Sequence, residues 1–349
     1  MRSRGLLPLL VMSMVAAACS GDDGGLFETV PSTAATTTTT VPATVATTPP
    51  TTAVPVTTTT LPPPTTAPAG RVLVSIPVGP GGIEYRGGAD DLERVGPSQL
   101  AVDPAGGIHI FDPVALRVLS FTAAGESSVD LGELDILGVS GLAAAGDHLI
   151  VVEIVFGPVR NLVHRVSFDG VILETFDLAP GVRLDDGFSG VRAGPAGEII
   201  IELAGGQSYG VWNGATYDIA DGLDLDGLQV AARPPDLIVD GNLITADLVG
   251  NFGALRYLAT GSDGVHAVIR EDVLQTDPLF VVLTTVEWYD DGRFVLAAGV
   301  PTLQEQAIDA PPGIALMPDG RAVALVAGET AVEVIMLPTT ANRILSPED

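Results

Sequence analysis

Four aspartates form the densest group of possible metal ligands in this chain. They lie within nine residues, beside Gly222 and Gly227, and are Asp218, Asp221, Asp224 and Asp226. Calcium prefers several carboxylate and carbonyl oxygens on a flexible loop, so this group could hold a structural calcium ion, the one cofactor we consider. The order departs from a complete EF-hand loop, because Gly222 interrupts it and the closing glutamate is absent. A solvated acidic loop is the alternative.

A possible nucleophile, Ser208, lies in a Gly-x-Ser-x-Gly sequence at residues 206–210. That spacing exposes a serine where a strand precedes it and a helix follows, but residues 211–215 show no helical period, so we predict a glycine-rich hairpin. The histidines lack the spacing of a zinc site, and without lysine a phosphate-binding Gly-Lys loop is impossible. The four histidines are His109, His148, His164 and His266. We therefore expect a protein that is not an enzyme, with a metal-dependent hydrolase as an open alternative.

A repeated sequence pattern predicts the strands and turns that position these residues. Each copy has a proline or serine, an apolar strand, a tight turn with glycine, and a second apolar strand, and helical signals are nearly absent. The copies lie at residues 97–110, 140–152, 189–201, 235–246 and 312–325, with a degenerate copy near 285–297. Repeats of about 45 residues with four strands each are typical of propeller blades. We predict an all-β propeller of six blades over residues 70–349, with two β-sandwiches as the alternative.

The ends of the chain are expected to close this ring. The last copy leaves room for only three strands, at residues 314–317, 322–326 and 332–337. Residues 72–76 can supply the fourth, which would remove the exposed edges of an open array.

Loops at one mouth of the predicted channel supply the candidate binding residues. These are Asp112, Arg160, Asn161, Gln207, Tyr209, Asp247 and Asn251. At the opposite end, Asp103, Asp240 and Asp319 are expected to stabilise turns through hydrogen bonds from side chain to backbone.

The N-terminal residues predict export and anchoring. Arg2 and Arg4 precede a short apolar run that ends at Ala18, too short to span a bilayer stably, so residues 1–18 are predicted to be a signal peptide. The small residues before Cys19 resemble the processing box of bacterial lipoproteins, which implies a lipidated Cys19; an ordinary secretory signal is the alternative. Residues 19–69 are rich in threonine and proline, which favours a disordered, extended stalk.

The composition excludes nucleic acid as a partner. The chain has 16 basic residues, all arginine, against 43 acidic ones, a formal net charge of −27. Such a surface repels nucleic acid. Cys19 is the only cysteine, so the fold cannot depend on a disulfide framework.

One copy of this repeat resembles known protein families. Residues 96–110, with Leu-Ala-Val-Asp, a glycine and Ile-x-Ile, resemble an NHL-like repeat and the related six-bladed gluconolactonase-like group. The resemblance implies ligands at one mouth of the central channel. It also implies, for the enzymes of that group, a channel metal held by Glu, Asn and Asp residues from separate blades. Glu84 is the one early glutamate near a predicted strand, and its surroundings do not match that set.

The sequence thus predicts a bacterial lipoprotein on the extracytoplasmic face of the cell membrane. The expected function is a binding or scaffold module with a protein or glycan partner outside the cell. The alternatives are a calcium-dependent gluconolactonase-like hydrolase and a structural protein of the cell envelope.

Overall fold

The computed structural model describes residues 70–344, with several gaps. The gaps are 87–94, 156–159, 179–183, 185–187, 195–197, 204–207, 213–214, 219–229, 234–235, 246–249, 262–263, 276–280 and 302–312. The predicted signal peptide, Cys19 and the stalk lie outside the described residues. Within them, no helix has the length and hydropathy needed to cross a membrane.

The described strands form six antiparallel sheets, which we call blades 1 to 6. The chain enters through β1 (Arg71–Pro77). Blade 1 contains β2 (Gln99–Val102), β3 (Ile108–Asp112), β4 (Arg117–Thr122) and β5 (Gly125–Asp130). Blade 2 contains β6 (Val139–Ala145), β7 (His148–Val155), β8 (Arg160–Ser167) and β9 (Ile172–Asp177). Blade 3 contains β10 (Phe188–Ala193), β11 (Ile199–Leu203), β12 (Ser208–Trp212) and β13 (Ala215–Asp218).

The remaining strands complete the set. Blade 4 contains three described strands, β14 (Val230–Arg233), β15 (Asp236–Val239) and β16 (Asn242–Thr245). Blade 5 contains β17 (Asn251–Thr260), β18 (His266–Gln275), β19 (Val281–Asp290) and β20 (Arg293–Gly299). Blade 6 contains β21 (Ile314–Leu316), β22 (Ala322–Ala327), β23 (Ala331–Met336) and, paired with β23, the entering strand β1. This closure by the two ends of the domain confirms the prediction from the sequence.

Apolar side chains fill the spaces between neighbouring blades. One cluster joins blades 6 and 1 through residues such as Val334 and Ile110, and others join blades 1 and 2, 2 and 3, 4 and 5, and 5 and 6. Each fully buried Val, Leu or Ile contributes about 1.5–3 kcal/mol, so these face-to-face contacts hold the sheets together. The all-β propeller fold is therefore confirmed.

Two repeat boundaries were predicted wrongly. The copy near residues 285–297 lies within blade 5, where β19 and β20 are its third and fourth strands. That blade begins at β17 instead. The copy at residues 235–246 likewise covers β15 and β16, the second and third described strands of blade 4. Both copies contain an Asp-Gly turn in which the aspartate adopts a positive φ, 49° at Asp240 and 46° at Asp291. Asp-Gly is the preferred sequence of any tight hairpin, so it does not distinguish the first turn of a blade from the last.

A C-terminal segment packs on blade 5 after β23. Thr340 exchanges two backbone hydrogen bonds with Ala297 of β20, and the carbonyl of Ile344 accepts a hydrogen bond from Arg270 Nη2 at 2.5 Å. Arg270 is fully buried and lies 3.4 Å from carboxylate oxygens of both Asp272 and Glu287. A buried cation between two carboxylates makes this blade depend on all three charges.

Candidate functional site

Asp112, a predicted mouth residue, lies at the end of β3 and is almost fully buried. Its carboxylate accepts hydrogen bonds from the backbone N–H groups of Val114 and Ala115, both at 3.2 Å, and from Arg117 Nε at 3.1 Å. These contacts hold the turn between β3 and β4. The observed role of Asp112 is thus to shape the loop.

Three other predicted mouth residues are described. Arg160, at the start of β8, is exposed and pairs with Asp177 at 2.7 Å. Asn161 is buried beside it, and its carbonyl accepts a hydrogen bond from Leu178 at 2.9 Å. Asn251 is exposed at the first residue of β17. Arg160 and Asn251 are therefore available to a partner at this end of their blades.

The remaining predicted positions are only partly described. Tyr209 and Asp218 are register partners on β12 and β13, which brings one mouth residue next to the first aspartate of the acidic group. Ser208 begins strand β12, so the Gly-x-Ser-x-Gly sequence leads into a hairpin, as predicted. Five predicted residues lie outside the described residues: Gln207, Asp247, Asp221, Asp224 and Asp226. Elsewhere in the described part of the chain, no three His, Cys, Asp or Glu side chains gather as a metal site.

The first strands of neighbouring blades begin side by side. Gln99 of β2 donates a hydrogen bond from Nε2 to the carbonyl of Ser140 in β6, at 3.2 Å. Gly313, just before β21, lies against the start of β2, where an added Cβ would approach Ser98 O to 3.0 Å. Because any side chain at residue 313 would crowd that backbone, glycine is required for the close approach. These contacts place the starts of blades 6, 1 and 2 at one common end.

A cavity of about 100 Å³ lies between these first strands. Its walls come from the inner strands of blades 1, 2, 3, 5 and 6, with further residues from β11 and β18. The polar lining residues are Ser98, Gln99, Arg192, Glu202, Arg256 and Tyr257, and the apolar ones include Leu100, Leu142, Leu258, Ile269 and Ile314. This is the central channel that the propeller fold predicts, and it is our candidate site.

Charges in the channel wall are present as pairs. Arg192 forms an ion pair with Glu202, and its guanidinium carbon lies 4.6 Å from the centre of the Tyr257 ring. Arg256 pairs with Glu271 at 2.8 Å. Each arginine is thus matched by a glutamate, and the guanidinium over the tyrosine adds a cation–π contact. The wall offers hydrogen-bond donors and acceptors with little net charge.

Tyr257 begins a series of polar contacts that leads from the channel wall to blade 4. Its hydroxyl and that of Thr260 share a hydrogen bond of 2.5 Å, and Thr260 Oγ1 lies 2.9 Å from His266 Nδ1. His266 Nε2 in turn lies 3.7 Å from Asp240 of blade 4. Burial raises the pKa of the Tyr257 hydroxyl, opposed in part by the Thr260 hydrogen bond and the charge of Arg192. Tyr257 is therefore a neutral hydroxyl at physiological pH.

Blade 1 contains a buried chain of an acid, a histidine and a hydroxyl. His109 Nε2 lies 3.1 Å from Asp103 Oδ2, and His109 Nδ1 lies 2.9 Å from Ser120 Oγ. All three are buried, and the His109 ring stacks on Phe168 of the next blade at 4.9 Å. Burial lowers the pKa of His109, with the carboxylate of Asp103 acting in the opposite direction. Asp103 Oδ1 also accepts two turn N–H groups at 2.8 Å, which confirms its predicted role.

Blade 2 contains a second chain of the same kind, with a glutamate and a threonine in place of the aspartate and the serine. His164 Nε2 lies 3.0 Å from Glu153 Oε2, and His164 Nδ1 lies 3.0 Å from Thr175 Oγ1. Glu153 and His164 are buried, whereas Thr175 is exposed on the edge strand β9. Reading the histidines as isolated missed both chains. A usable signal was present, since each histidine precedes its hydroxyl by 11 residues, the span of one hairpin.

The chain is similar to several solved structures at low sequence identity. No family model matches the chain, and no curated protein matches it. Virginiamycin B lyase from Staphylococcus aureus is 12% identical over 69% of this chain and 94% of its own, with a TM-score of 0.40. The calcium-binding protein regucalcin from Agrobacterium tumefaciens is 14% identical over 77% and 94%, with a TM-score of 0.37. The WD40 β-propeller domain of Doa1 is 9% identical over 76% and 96%, with a TM-score of 0.41.

At these identities the likeness concerns the fold alone. The arrangement of the six sheets shows that the chain is a β-propeller.

Proposed function

We propose that the protein is a lipid-anchored binding or scaffold module on the outer face of the cell membrane. Cys19 would carry the lipid, residues 19–69 would act as a spacer, and the propeller would contact a protein or glycan through the end where Arg160 and Asn251 lie. The small volume of the cavity that the described residues enclose in the channel supports the binding or scaffold part of this proposal. It measures about 100 Å³, whereas small-molecule sites usually occupy about 300–1,000 Å³.

The charges of the channel support the same conclusion. The arginines in the wall are paired with glutamates, so their charges are already balanced before a ligand arrives. A rigid scaffold of this kind suits recognition by its surface loops. The net charge of −27 favours a neutral or basic partner and disfavours nucleic acid.

The anchor is tested by the Cys19→Ala substitution in the full-length chain. We expect the wild-type protein in the membrane fraction and the variant in the soluble or secreted fraction, because several acyl chains are needed for stable attachment and the variant has none. Equal membrane recovery of the two proteins would contradict the anchor.

Partner binding is tested with immobilised wild-type protein, cell-wall glycan fragments and an envelope protein extract. We expect one of these to be retained. The double substitution Arg160→Ala and Asn251→Ala should lower retention at least about fivefold, a loss of about 1 kcal/mol of binding free energy. Glu126→Gln is the matched control, because Glu126 is exposed at the opposite end of blade 1. Retention unaffected by the double substitution would contradict the proposed end.

The hydrolase alternative is tested in the same preparation. Lactone or ester turnover that requires calcium, together with a rise in the unfolding temperature on calcium addition, would favour that alternative. We expect neither, since ligand binding stabilises a fold only when the native state holds the ligand.

A further inference from the structure

The edge of blade 2 brings together a nucleophile, a base and a positioning carboxylate. Thr175 Oγ1 is 3.0 Å from His164 Nδ1, and His164 Nε2 is 3.0 Å from Glu153 Oε2. These distances lie within the range in which a hydroxyl is activated by a base that a third group orients. The contact is set by strand register, since His164 and Thr175 are direct partners on β8 and β9.

The hydrogen bonds fix which ring nitrogen carries the proton. Glu153 Oε1 accepts the backbone N–H groups of Leu137 and Gly138, at 2.8 and 3.3 Å, which holds the carboxylate in place. Its other oxygen, Oε2, then accepts the proton of His164 Nε2. In the neutral imidazole the remaining nitrogen is an acceptor, so Nδ1 accepts the hydroxyl proton of Thr175. This is the tautomer that a general base requires.

Of this series of three hydrogen-bonded side chains, only the hydroxyl end is exposed to solvent. The Glu153 and His164 side chains are each 6% exposed, whereas Thr175 is an exposed residue of an edge strand. Apolar residues precede it on the same surface segment: Val171 is 53% exposed and Leu173 is 54% exposed. A small apolar group can therefore be held beside the hydroxyl by contact with these side chains.

We propose that Thr175 is an acyl-accepting hydroxyl, activated by His164 and positioned through Glu153, that takes a small apolar acyl group from an ester or thioester donor. Thr175 Oγ1 attacks the carbonyl carbon while its proton passes to His164 Nδ1. When the tetrahedral intermediate collapses, the bond to the leaving group breaks and that group takes the proton from His164. The products are an ester on Thr175 and a free alcohol or thiol.

The test uses the full-length protein and p-nitrophenyl acetate, with peptide mapping by mass spectrometry. The absence of lysine from the chain removes the usual competing amine side chains. We expect one acetyl group per chain on Thr175, added at least about tenfold faster than on Ser128, because general base catalysis typically contributes 10²–10⁴-fold. Ser128 is the matched internal control, since it is exposed on the edge strand β5 of the neighbouring blade.

Two variants separate positioning from structure. Glu153→Gln keeps an oxygen for the two backbone N–H groups but removes the negative charge beside Nε2, and should slow acetylation of Thr175 about tenfold or more. Thr175→Val should abolish it and Ser128→Ala should leave it unchanged. The same reaction in concentrated urea should bring Thr175 down to the rate of Ser128, which tests the proposal even if Glu153→Gln does not fold. Equal rates at Thr175 and Ser128 in the folded wild type, or an unchanged rate in folded Glu153→Gln, would overturn the proposal.

Discussion

Blades 1 and 2 contain the same three-part polar chain in different positions. In blade 1 the histidine is on the second strand, β3, and its hydroxyl partner Ser120 is on the third. In blade 2 the histidine is on the third strand, β8, and its partner Thr175 is on the fourth. This shift by one strand moves the hydroxyl from a buried position to the exposed edge. The two blades therefore contain the same kinds of chemical group, but only the hydroxyl in blade 2 is accessible to solvent.

The comparison teaches how one constellation serves two purposes. A buried polar group must be hydrogen-bonded, and the blade 1 chain meets that requirement at every atom pair, while Phe168 covers the ring. We therefore assign the blade 1 chain to stability. In blade 2 the inner two members are equally enclosed, but the outer hydroxyl faces solvent, which is why we place reactivity there.

The largest expected effect comes from removing the covered histidine. His109→Ala should lower the free energy of unfolding by about 3–5 kcal/mol, since it leaves the buried Asp103 carboxylate and Ser120 hydroxyl without their partner. Urea unfolding followed by circular dichroism measures the loss. His148→Ala is the control, because among the described residues the His148 side chain pairs with the exposed Asp147 alone and should change stability by less than about 1 kcal/mol. Similar losses in both variants would contradict a structural role for the blade 1 chain.

A smaller effect should appear on lowering the pH. Burial lowers the pKa of His109 below its ordinary value of 6.5 in the folded state. The unfolded chain then binds more protons, so the stability present above about pH 6.5 is lost as the pH falls toward the folded pKa. The groups that face His109 are Asp103, Ser120 and Phe168.

The check is the urea midpoint at about pH 7.5 and about pH 5.5, near and below the ordinary histidine pKa. The wild type should lose more stability than His109→Gln over this interval, because the other titrating groups are common to both proteins. An identical loss in the two would show that His109 does not titrate differently on folding.

Much of the fold could be predicted from the sequence. Period-two apolar runs located β2, β3 and β4 within a residue of their observed bounds, and the shortage of strands in the last repeat indicated the closure by β1. These features are local or depend on counting. The misplaced repeat in blade 5 arose from a turn sequence that every hairpin can use.

The candidate site was less accessible to sequence reasoning. Loop position indicated Arg160 and Asn251, but the polar chains depend on strand register, and a one-residue slip would move each side chain to the other face of its sheet. Asp112 shows the reverse case: its place at a loop suggested binding, whereas its hydrogen bonds hold the turn. A carboxylate in a loop looks the same in sequence in both roles.

The most direct test of the difference between the two blades compares Ser120→Ala with Thr175→Ala by urea unfolding. Ser120→Ala should lose about 1–3 kcal/mol, because it leaves the buried His109 Nδ1 without its hydrogen bond. Thr175→Ala removes the hydroxyl at an exposed edge and leaves room for water to replace it, so it should lose less than about 1 kcal/mol. Equal losses, or a larger loss at Thr175, would contradict the division between a structural chain in blade 1 and a reactive one in blade 2.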